Sequence, residues 1–231
     1  MKILALKKVN IYYKGQQVVK DSSFTVEAGE IVGIVGPSGI GKTSILKAVM
    51  GILEPGSRVT GSINYKGSNL LTMTNEERRL LAGAELGLIF QDAGSSFCPV
   101  RTLGSQIYEA VSSHEEIAYE DFLHRADALF KRLGLQEGKA LLKAYIHQLS
   151  GGMKQRVGIA AAMLLKPQVL LADEPTSALD TLTQRQVVEE LQLVRKSFGT
   201  AIVLVSHNRS LVKAIADKVL VMDQGCLKEE A

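Results

Sequence analysis

The chain has 231 residues, a length that suits one domain or one domain with a small second lobe. Hydrophobic residues make up 46% of it and charged residues 22%, which is ordinary globular usage and excludes a disordered, collagen-like or coiled-coil chain. The formal charge of +3 is too small to indicate a nucleic-acid partner, and we expect none.

Cysteine usage and apolar runs point to a cytosolic location. Cys98 and Cys226 lie far apart without CxxC or Cys/His spacing, so neither a disulfide framework nor a zinc site is expected. The longest apolar run, 157–165, has nine residues, whereas a membrane-spanning helix needs about 18. The apolar stretch 3–6 is too short for a signal peptide. We expect a chain of the reducing cytosol that reaches a membrane only through partners.

Short β-type segments alternate with longer helical ones. The predicted strands are 3–12, 24–27, 30–35, 61–65, 87–91, 168–173, 201–206 and 218–222, and the predicted helices are 42–50, 76–81, 102–111, 119–133, 151–165, 181–198 and 209–216. Solid apolar runs such as IVGIV and AIVLV indicate strands buried on both faces. The alternation predicts an α/β fold, with a parallel sheet flanked by helices.

Two regions depart from this alternation. Residues 1–30 and 58–68 alternate polar and apolar residues between Gly-containing turns, which predicts a small antiparallel sheet beside the parallel one. Residues 92–160 hold no solid apolar strand. We therefore predict one domain over 1–231, in which 1–91 and 161–231 form a catalytic core with an antiparallel β subdomain and 92–160 form an inserted helical subdomain.

A glycine-rich segment, Gly36-Pro37-Ser38-Gly39-Ile40-Gly41-Lys42-Thr43, fits the phosphate-binding pattern GxxxxGK[ST] between a strand and a helix. Its glycines allow a tight turn that points backbone N–H groups at phosphate oxygens, and the next helix adds the positive end of its dipole. Lys42 supplies a full charge and Thr43 a hydroxyl for Mg²⁺. We assign this segment and Ser44 to nucleotide binding; the alternative is a flexible glycine turn.

A second apolar strand ends in two adjacent acids, Asp173 and Glu174. Asp173 at the strand tip can hold Mg²⁺ directly or through water. Glu174 can face a water that attacks a γ-phosphate. Adjacent acids at a strand end are common, but a phosphate-binding loop upstream makes a metal anchor and a water-orienting group the better interpretation.

Several further motifs resemble those of ABC-type ATPases. Leu149-Ser150-Gly151-Gly152-Met153-Lys154-Gln155-Arg156 resembles the LSGGQ signature, and Ser177-Ala178-Leu179-Asp180 resembles the D-loop. Gln91 resembles the Q-loop glutamine and His207 the switch histidine. Tyr13 resembles the aromatic residue that stacks on adenine.

The resemblance implies a RecA-like P-loop NTPase fold that takes ATP and Mg²⁺. It implies catalytic roles for Glu174, His207 and Gln91, metal binding by Thr43, Gln91 and Asp173, and nucleotide contacts from Tyr13, Ser150, Gly151, Gly152 and Asp180. Simpler alternatives stay open: Ser150 and Asp180 can be helix caps, Gln91 and His207 ordinary strand-end residues, and Tyr12 the adenine neighbour in place of Tyr13.

The same resemblance implies an assembly. In this family each ATP is held between the P-loop of one chain and the signature of another. We therefore expect a head-to-tail dimer with a second ATPase subunit, either a copy of this chain or a related protein. ATP would hold the dimer closed, and hydrolysis would let it open.

Segments 51–63 and 91–104 resemble the dipeptide, oligopeptide and nickel importer ATPases. This implies an ATP-hydrolysing importer subunit, peripheral on the cytoplasmic face of the inner membrane, beneath integral permease subunits supplied by an extracellular solute-binding protein. Residues 92–107, with Phe97, Pro99, Val100 and Leu103, are the predicted surface for a permease helix. The alternative is that these side chains pack the helical lobe.

Some residues depart from the family pattern. Asp92-Ala93 replaces Asp-Pro, Cys98-Pro99 replaces Asn-Pro, and Asn208 replaces the aspartate after the histidine. The chain ends eight residues past Asp223, without the cysteine-containing extension of peptide importers, which favours nickel or metal-chelate members. The competing hypothesis is a non-transport ABC ATPase, of the cofactor-assembly or nucleic-acid-associated type. A module that binds ATP without hydrolysis is disfavoured by Glu174 and His207.

Overall fold

Ten strands and eight α-helices make up the computed structural model, which describes residues 1–230. The strands are β1 (Lys2–Tyr13), β2 (Gln16–Glu27), β3 (Ile31–Val35), β4 (Arg58–Tyr65), β5 (Ser68–Asn69), β6 (Leu86–Ile89), β7 (Val169–Asp173), β8 (Ala201–Ser206), β9 (Lys218–Asp223) and β10 (Cys226–Glu229). The helices are α1 (Lys42–Met50), α2 (Asn75–Leu81), α3 (Leu103–Ser112), α4 (Tyr119–Arg132), α5 (Gly138–Lys143), α6 (Gly151–Ala162), α7 (Thr181–Phe198) and α8 (Arg209–Ile215). Across residues 1–230, none of the helices has the length and apolar character needed to cross a bilayer.

The strands form one sheet in the order β5-β4-β1-β2-β10-β9-β3-β8-β7-β6. Strands β9, β3, β8, β7 and β6 are parallel, whereas β1 pairs antiparallel with β2 and β4. Strand β10 connects the two parts, because it is antiparallel to β9 and meets β2 through the parallel pair Cys226 and Lys20. The antiparallel strands therefore extend the parallel sheet instead of forming a separate one beside it.

The central strands are buried on both faces, as their apolar runs predict. In β7, Leu170 and Ala172 face one hydrophobic core, while Val169 and Leu171 face another. The first core contains side chains of α3–α8, and the second contains α1 together with β1, β2 and β4. This burial fixes the carboxyl ends of β3, β8 and β7 as neighbours, so the loops that follow them meet at one edge.

Other predicted boundaries differ from the structure. The predicted strand 24–27 is the end of a longer β2, whose polar first half includes a left-handed Asp21 and lacks the alternation typical of strands. The short elements β5, β10 and α5 were not predicted, since each has too few residues for a periodic pattern. The division at residue 160 falls inside α6, and the domain boundaries remain a prediction.

A buried ion pair joins α6 to α7. Arg156 Nε donates to Glu190 Oε2 at 3.1 Å, and another guanidinium nitrogen donates to the carbonyl of Leu133 at 3.2 Å. Burial raises the pKa of Glu190 from its usual value near 4.5 to about 8, against the opposing effect of Arg156. The second carboxyl oxygen, Oε1, has no partner within residues 1–230. The helix that carries the predicted signature is thus held by a carboxyl group whose pKa is raised by burial.

We predict that Glu190 makes the free energy of unfolding depend on pH. The folded protein keeps a proton that the unfolded chain releases, so this stabilisation is complete below about pH 4.5 and is lost as the pH rises towards about 8, at no more than about 1.4 kcal/mol per pH unit. In urea unfolding at pH 5 and pH 8, Glu190→Gln should lose less stability than the wild type. Glu189→Gln, on the exposed face of α7, is the control. Equal losses in all three proteins would contradict this titration.

Candidate active site

The loop between β3 and α1 has a conformation that is suited to phosphate binding. Gly41 has a φ of 110°, a value that side-chain-bearing residues rarely adopt, so glycine is needed where the loop enters the helix. Within residues 1–230 the backbone amides of residues 38–41 donate to no internal acceptor. Unpaired amides at a helix N-terminus form a site for phosphate oxygens.

Lys42 lies against this loop and is only 5% exposed. Its Nζ donates to the carbonyls of Gly36 and Pro37 at 2.8 and 2.9 Å, and it is 3.6 Å from Glu174 Oε1. A buried ammonium needs such partners to offset its lost hydration. The charge is held between the phosphate loop and Glu174, the residue that follows β7.

Thr43 and Asp173 come together although 130 residues separate them in sequence. The Thr43 hydroxyl donates to Asp173 Oδ1 at 2.9 Å. Burial raises the pKa of Asp173, and this hydrogen bond opposes the rise. A hydroxyl and a carboxylate in contact are hard oxygen ligands of the kind that Mg²⁺ prefers, so the donor set fits that ion.

Both carboxyl oxygens of Glu174 have polar partners. Oε2 is 2.7 Å from His207 Nδ1 and accepts from the His207 amide at 3.2 Å, while Oε1 faces Lys42. Because a carboxylate only accepts, Nδ1 carries the proton and Nε2 is left for another partner. The backbone of Glu174 has a φ of 48°, which is uncommon for a residue with a side chain and is typical of functional positions.

Tyr13 lies at the edge of the phosphate loop. Its hydroxyl donates to Ser44 Oγ on α1 at 3.2 Å, and its ring is partly buried against the second core. Tyr12 instead lies under the guanidinium of Arg58, which is 4.6 Å from the ring centroid. The structure therefore brings Tyr13, and not Tyr12, into contact with the predicted nucleotide-binding residues.

Within residues 1–230 no hydrogen bond joins Gln91 to this cluster. The predicted strand 87–91 is wrong at its end, because β6 stops at Ile89 and Gln91 lies two residues further on, exposed. Its side chain makes no hydrogen bond within residues 1–230. A buried glutamine that the sequence did not single out, Gln155, contacts the backbone on both sides of it. Gln155 lies within the predicted signature segment, but its contacts do not follow from local pattern, because its partners lie more than 60 residues away.

The predicted signature and D-loop residues begin two helices. Ser150 caps α6 by accepting from the Met153 amide at 3.3 Å. Asp180 caps α7 by accepting from the Thr183 amide and hydroxyl at 3.0 and 2.6 Å, and the bonds to Thr183 lower its pKa. The helix-cap alternative is therefore present at both residues. Across residues 1–230 no hydrogen bond joins Ser150, Gly151 or Gly152 to the phosphate loop.

An open apolar groove of about 770 Å³ lies between the sheet and the helical region. Side chains that line it include Ile52, Phe90, Phe97, Ile107 and Ala161. Ile52 and Phe90 are 46% and 40% exposed, which is unusual for large apolar residues that meet in one groove. Pro99 and Val100 are exposed beside it, but Leu103 is fully buried, so its prediction as a surface residue is wrong.

Comparison with known proteins identifies the family. The family model described as ABC transporter matches residues 19–177. The chain belongs to the ABC transporter family. As a member of this family it is an ATP-binding protein with the fold of a P-loop NTPase and the activity of an ATPase.

Curated relatives match almost the whole chain. The Metal-staphylopine import system ATP-binding protein CntD of Staphylococcus aureus is 35% identical, over 99% of this chain and 85% of the relative. The Dipeptide transport ATP-binding protein DppD of Escherichia coli is 38% identical, over 99% of this chain and 72% of the relative.

Solved ABC structures share the fold. The dimeric bacterial ABC transporter cassette MJ0796 has a TM-score of 0.86 at 26% identity, over 99% of this chain and 98% of that one. A dimeric post-hydrolysis state of MJ0796 bound to ADP and Pi has a TM-score of 0.85 at 26% identity, with the same coverage. These matches extend across the sheet and the helical region of this ATPase.

We predict that Lys42→Ala weakens ATP binding at least tenfold, or about 1.4 kcal/mol, because it removes the buried charge beside the phosphate loop. Binding of a fluorescent ATP analogue to the purified protein measures the effect. Lys47→Ala, on the same helix, is the control, since Lys47 has no hydrogen bond to the phosphate loop within residues 1–230. Unchanged affinity in Lys42→Ala would contradict the phosphate-binding assignment.

Proposed function

We propose that this chain is the ATP-hydrolysing subunit of an importer that takes up metal chelates or short peptides through a partner permease. The observation that supports it most directly is the arrangement of Glu174, whose carboxylate lies between Lys42 and His207 next to the Thr43–Asp173 pair. Glu174 thus contacts both Lys42 of the phosphate loop and His207, and it directly follows the candidate metal ligand Asp173 in the chain.

The binding step depends on the phosphate loop. Backbone amides of residues 38–41 and the Lys42 ammonium would donate hydrogen bonds to oxygens of the β- and γ-phosphates, while Tyr13 would lie against adenine. Phosphate oxygens would compete with the carbonyls of Gly36 and Pro37 for Lys42, because an ionised acceptor binds an ammonium more strongly than a neutral one.

The hydrolysis step depends on Glu174. As Lys42 turns to the phosphates, Glu174 Oε1 becomes free to accept a proton from a water in line with the γ-phosphate. The hydrogen bonds from His207 hold the other oxygen and so fix the direction of the carboxylate. His207 Nε2 would face the γ-phosphate, and Gln91 would complete the site from its exposed position.

Mg²⁺ would be held by Thr43 and Asp173, with Gln91 as a further oxygen ligand. Bound there, the ion would neutralise phosphate charge and so favour transfer to water. Burial raises the pKa of Asp173, and a cation bound beside the carboxylate would lower it again.

A head-to-tail dimer would complete each site. Ser150, Gly151 and Gly152 start α6 without a hydrogen bond to the phosphate loop of their own chain, and Ser150 and Gly151 are exposed. The N-terminal amides of α6 therefore remain for a phosphate held by another chain. The dimeric structures named for MJ0796 support this assembly.

The apolar groove is the proposed contact with the permease. Its volume of about 770 Å³ and its partly exposed Ile52 and Phe90 suit one apolar face of a short helix. A permease helix seated here would place the chain peripherally on the cytoplasmic face of the membrane. Relatives named for metal-staphylopine import and dipeptide transport support an importer over a non-transport ATPase. An extracellular solute-binding protein would supply the permease of such an importer.

We predict that Glu174→Gln retains ATP binding but slows hydrolysis about 10²- to 10⁴-fold, because the amide cannot take a proton from water. Phosphate release measures turnover, and size-exclusion chromatography with ATP should show a stable dimer that the wild type forms only briefly. Glu189→Gln, exposed on α7, should behave as wild type. Normal turnover in Glu174→Gln would overturn the proposed mechanism.

We also predict that Ile52→Asp releases the chain from membranes while leaving its ATPase activity unchanged. A buried carboxylate in the groove would oppose docking of an apolar helix face. Fractionation of producing cells measures the membrane-bound share. Leu80→Asp is the matched control, since Leu80 is 55% exposed on α2 outside the groove. Equal membrane retention of both variants would remove the groove from this role.

A further inference from the structure

The side chain of Gln155, on α6, is hydrogen-bonded to the segment that follows β6. Its side chain is nearly inaccessible, with the residue 4% exposed. Nε2 donates to the carbonyl of Phe90 at 3.3 Å, and Oε1 accepts from the amide of Ala93 at 3.3 Å. The two contacts lie on either side of Gln91 and Asp92, so one amide group fixes both ends of that dipeptide.

Packing of α6 reinforces this contact. Gly158 lies one turn after Gln155, and a Cβ added there would be 2.6 Å from the Cβ of Ala93. A Cβ added to Gly94 would likewise be 2.9 Å from Lys154 Cδ. The 3₁₀ turn Ala93–Ser96 therefore lies directly on α6, and movement of either requires movement of the other.

Three features of the chain meet at this contact. Phe90 and Ala93 line the apolar groove, Gln91 extends towards solvent between them, and α6 begins at Ser150. Gln91 itself has no hydrogen bond within residues 1–230. Its position is consequently set by the backbone on each side, which Gln155 holds.

We propose that Gln155 is a positioning residue that keeps Gln91 aligned with the helix that begins at Ser150. Displacement of the groove wall would then move Gln91 and the start of α6 together. This inference rests on the proposed function, because it requires Gln91 to act on bound ATP. Gln155 touches no reacting atom and acts only through the main chain around Gln91.

Because the two hydrogen bonds of Gln155 are long, we expect their loss to change the rate of ATP hydrolysis more than the stability of the protein. At 3.3 Å both lie beyond the usual range for N–H···O bonds, so their contribution to stability is small. Loss of orientation, however, affects catalysis strongly, because small displacements of a reacting group reduce the rate by large factors. If Gln155 served only to pack the interior, its substitution would change stability and leave kcat for ATP hydrolysis unchanged.

The test uses Gln155→Met, which keeps length and helix propensity but removes both hydrogen bonds. We expect kcat for ATP hydrolysis to fall at least about tenfold with KM changed less than about twofold, and Tm to change by only a few degrees. Gln155→Glu keeps the acceptor for Ala93 and should retain an intermediate kcat. Gln186→Met, exposed on α7, is the matched control.

Combining Gln155→Met with Gln91→Ala in one protein distinguishes a positioning role of Gln155 from a packing role. If Gln155 acts through Gln91, the double variant Gln91→Ala/Gln155→Met should be no slower than Gln91→Ala alone. Independent effects that multiply, or a normal kcat in Gln155→Met, would overturn the inference while leaving the proposed function intact. A wild-type protein without ATPase activity, assayed beside Glu174→Gln, would overturn both.

Discussion

The parallel pairing of β3 with β8 and of β8 with β7 is the constraint on which the active site depends. Val35 pairs with Ser206, and Asp173 pairs with Val205, so the phosphate loop, His207 and Glu174 leave the sheet at one edge from adjacent strands. Neighbouring strands are about 4.8 Å apart, a spacing that places side chains from successive strand ends within hydrogen-bonding reach. Burial on both faces prevents register slippage, because a shift of one residue would exchange the two cores.

At that edge of the sheet the carboxylate of Glu174 is contacted by one basic side chain on each of its two oxygens. Lys42 and His207 lie on opposite sides of its carboxylate, and its own backbone is held in a left-handed conformation by the hydrogen bond from its amide to Val205. Such strain persists only where surrounding structure compensates for it, here through β7 and β8. The carboxylate is thereby oriented in the absence of a ligand. A phosphate bound at the loop would offer Lys42 a more favourable acceptor than the carbonyls of Gly36 and Pro37.

The positions of residues that belong to a contiguous pattern can be predicted from the sequence. The phosphate loop and the acids after β7 each combine an apolar strand with a fixed turn, so local sequence specified both the residues and the edge where they lie. Leu103 was misassigned because exposure depends on packing partners that α3 meets only in the folded chain. Gln155 was not singled out for the same reason: its partners Phe90 and Ala93 are distant in sequence.

Helix capping and ligand binding are compatible at Ser150 and Asp180, although the sequence presented them as alternatives. A cap satisfies one or two of the four unpaired amides at a helix start, and Ser150 accepts from Met153 alone. The amides nearest the start of α6 remain outside the cap, and they carry the positive end of the helix dipole. A capped and therefore well-ordered helix start is a better phosphate site than a frayed one, because its donors would need no further ordering if a partner chain presented its nucleotide there.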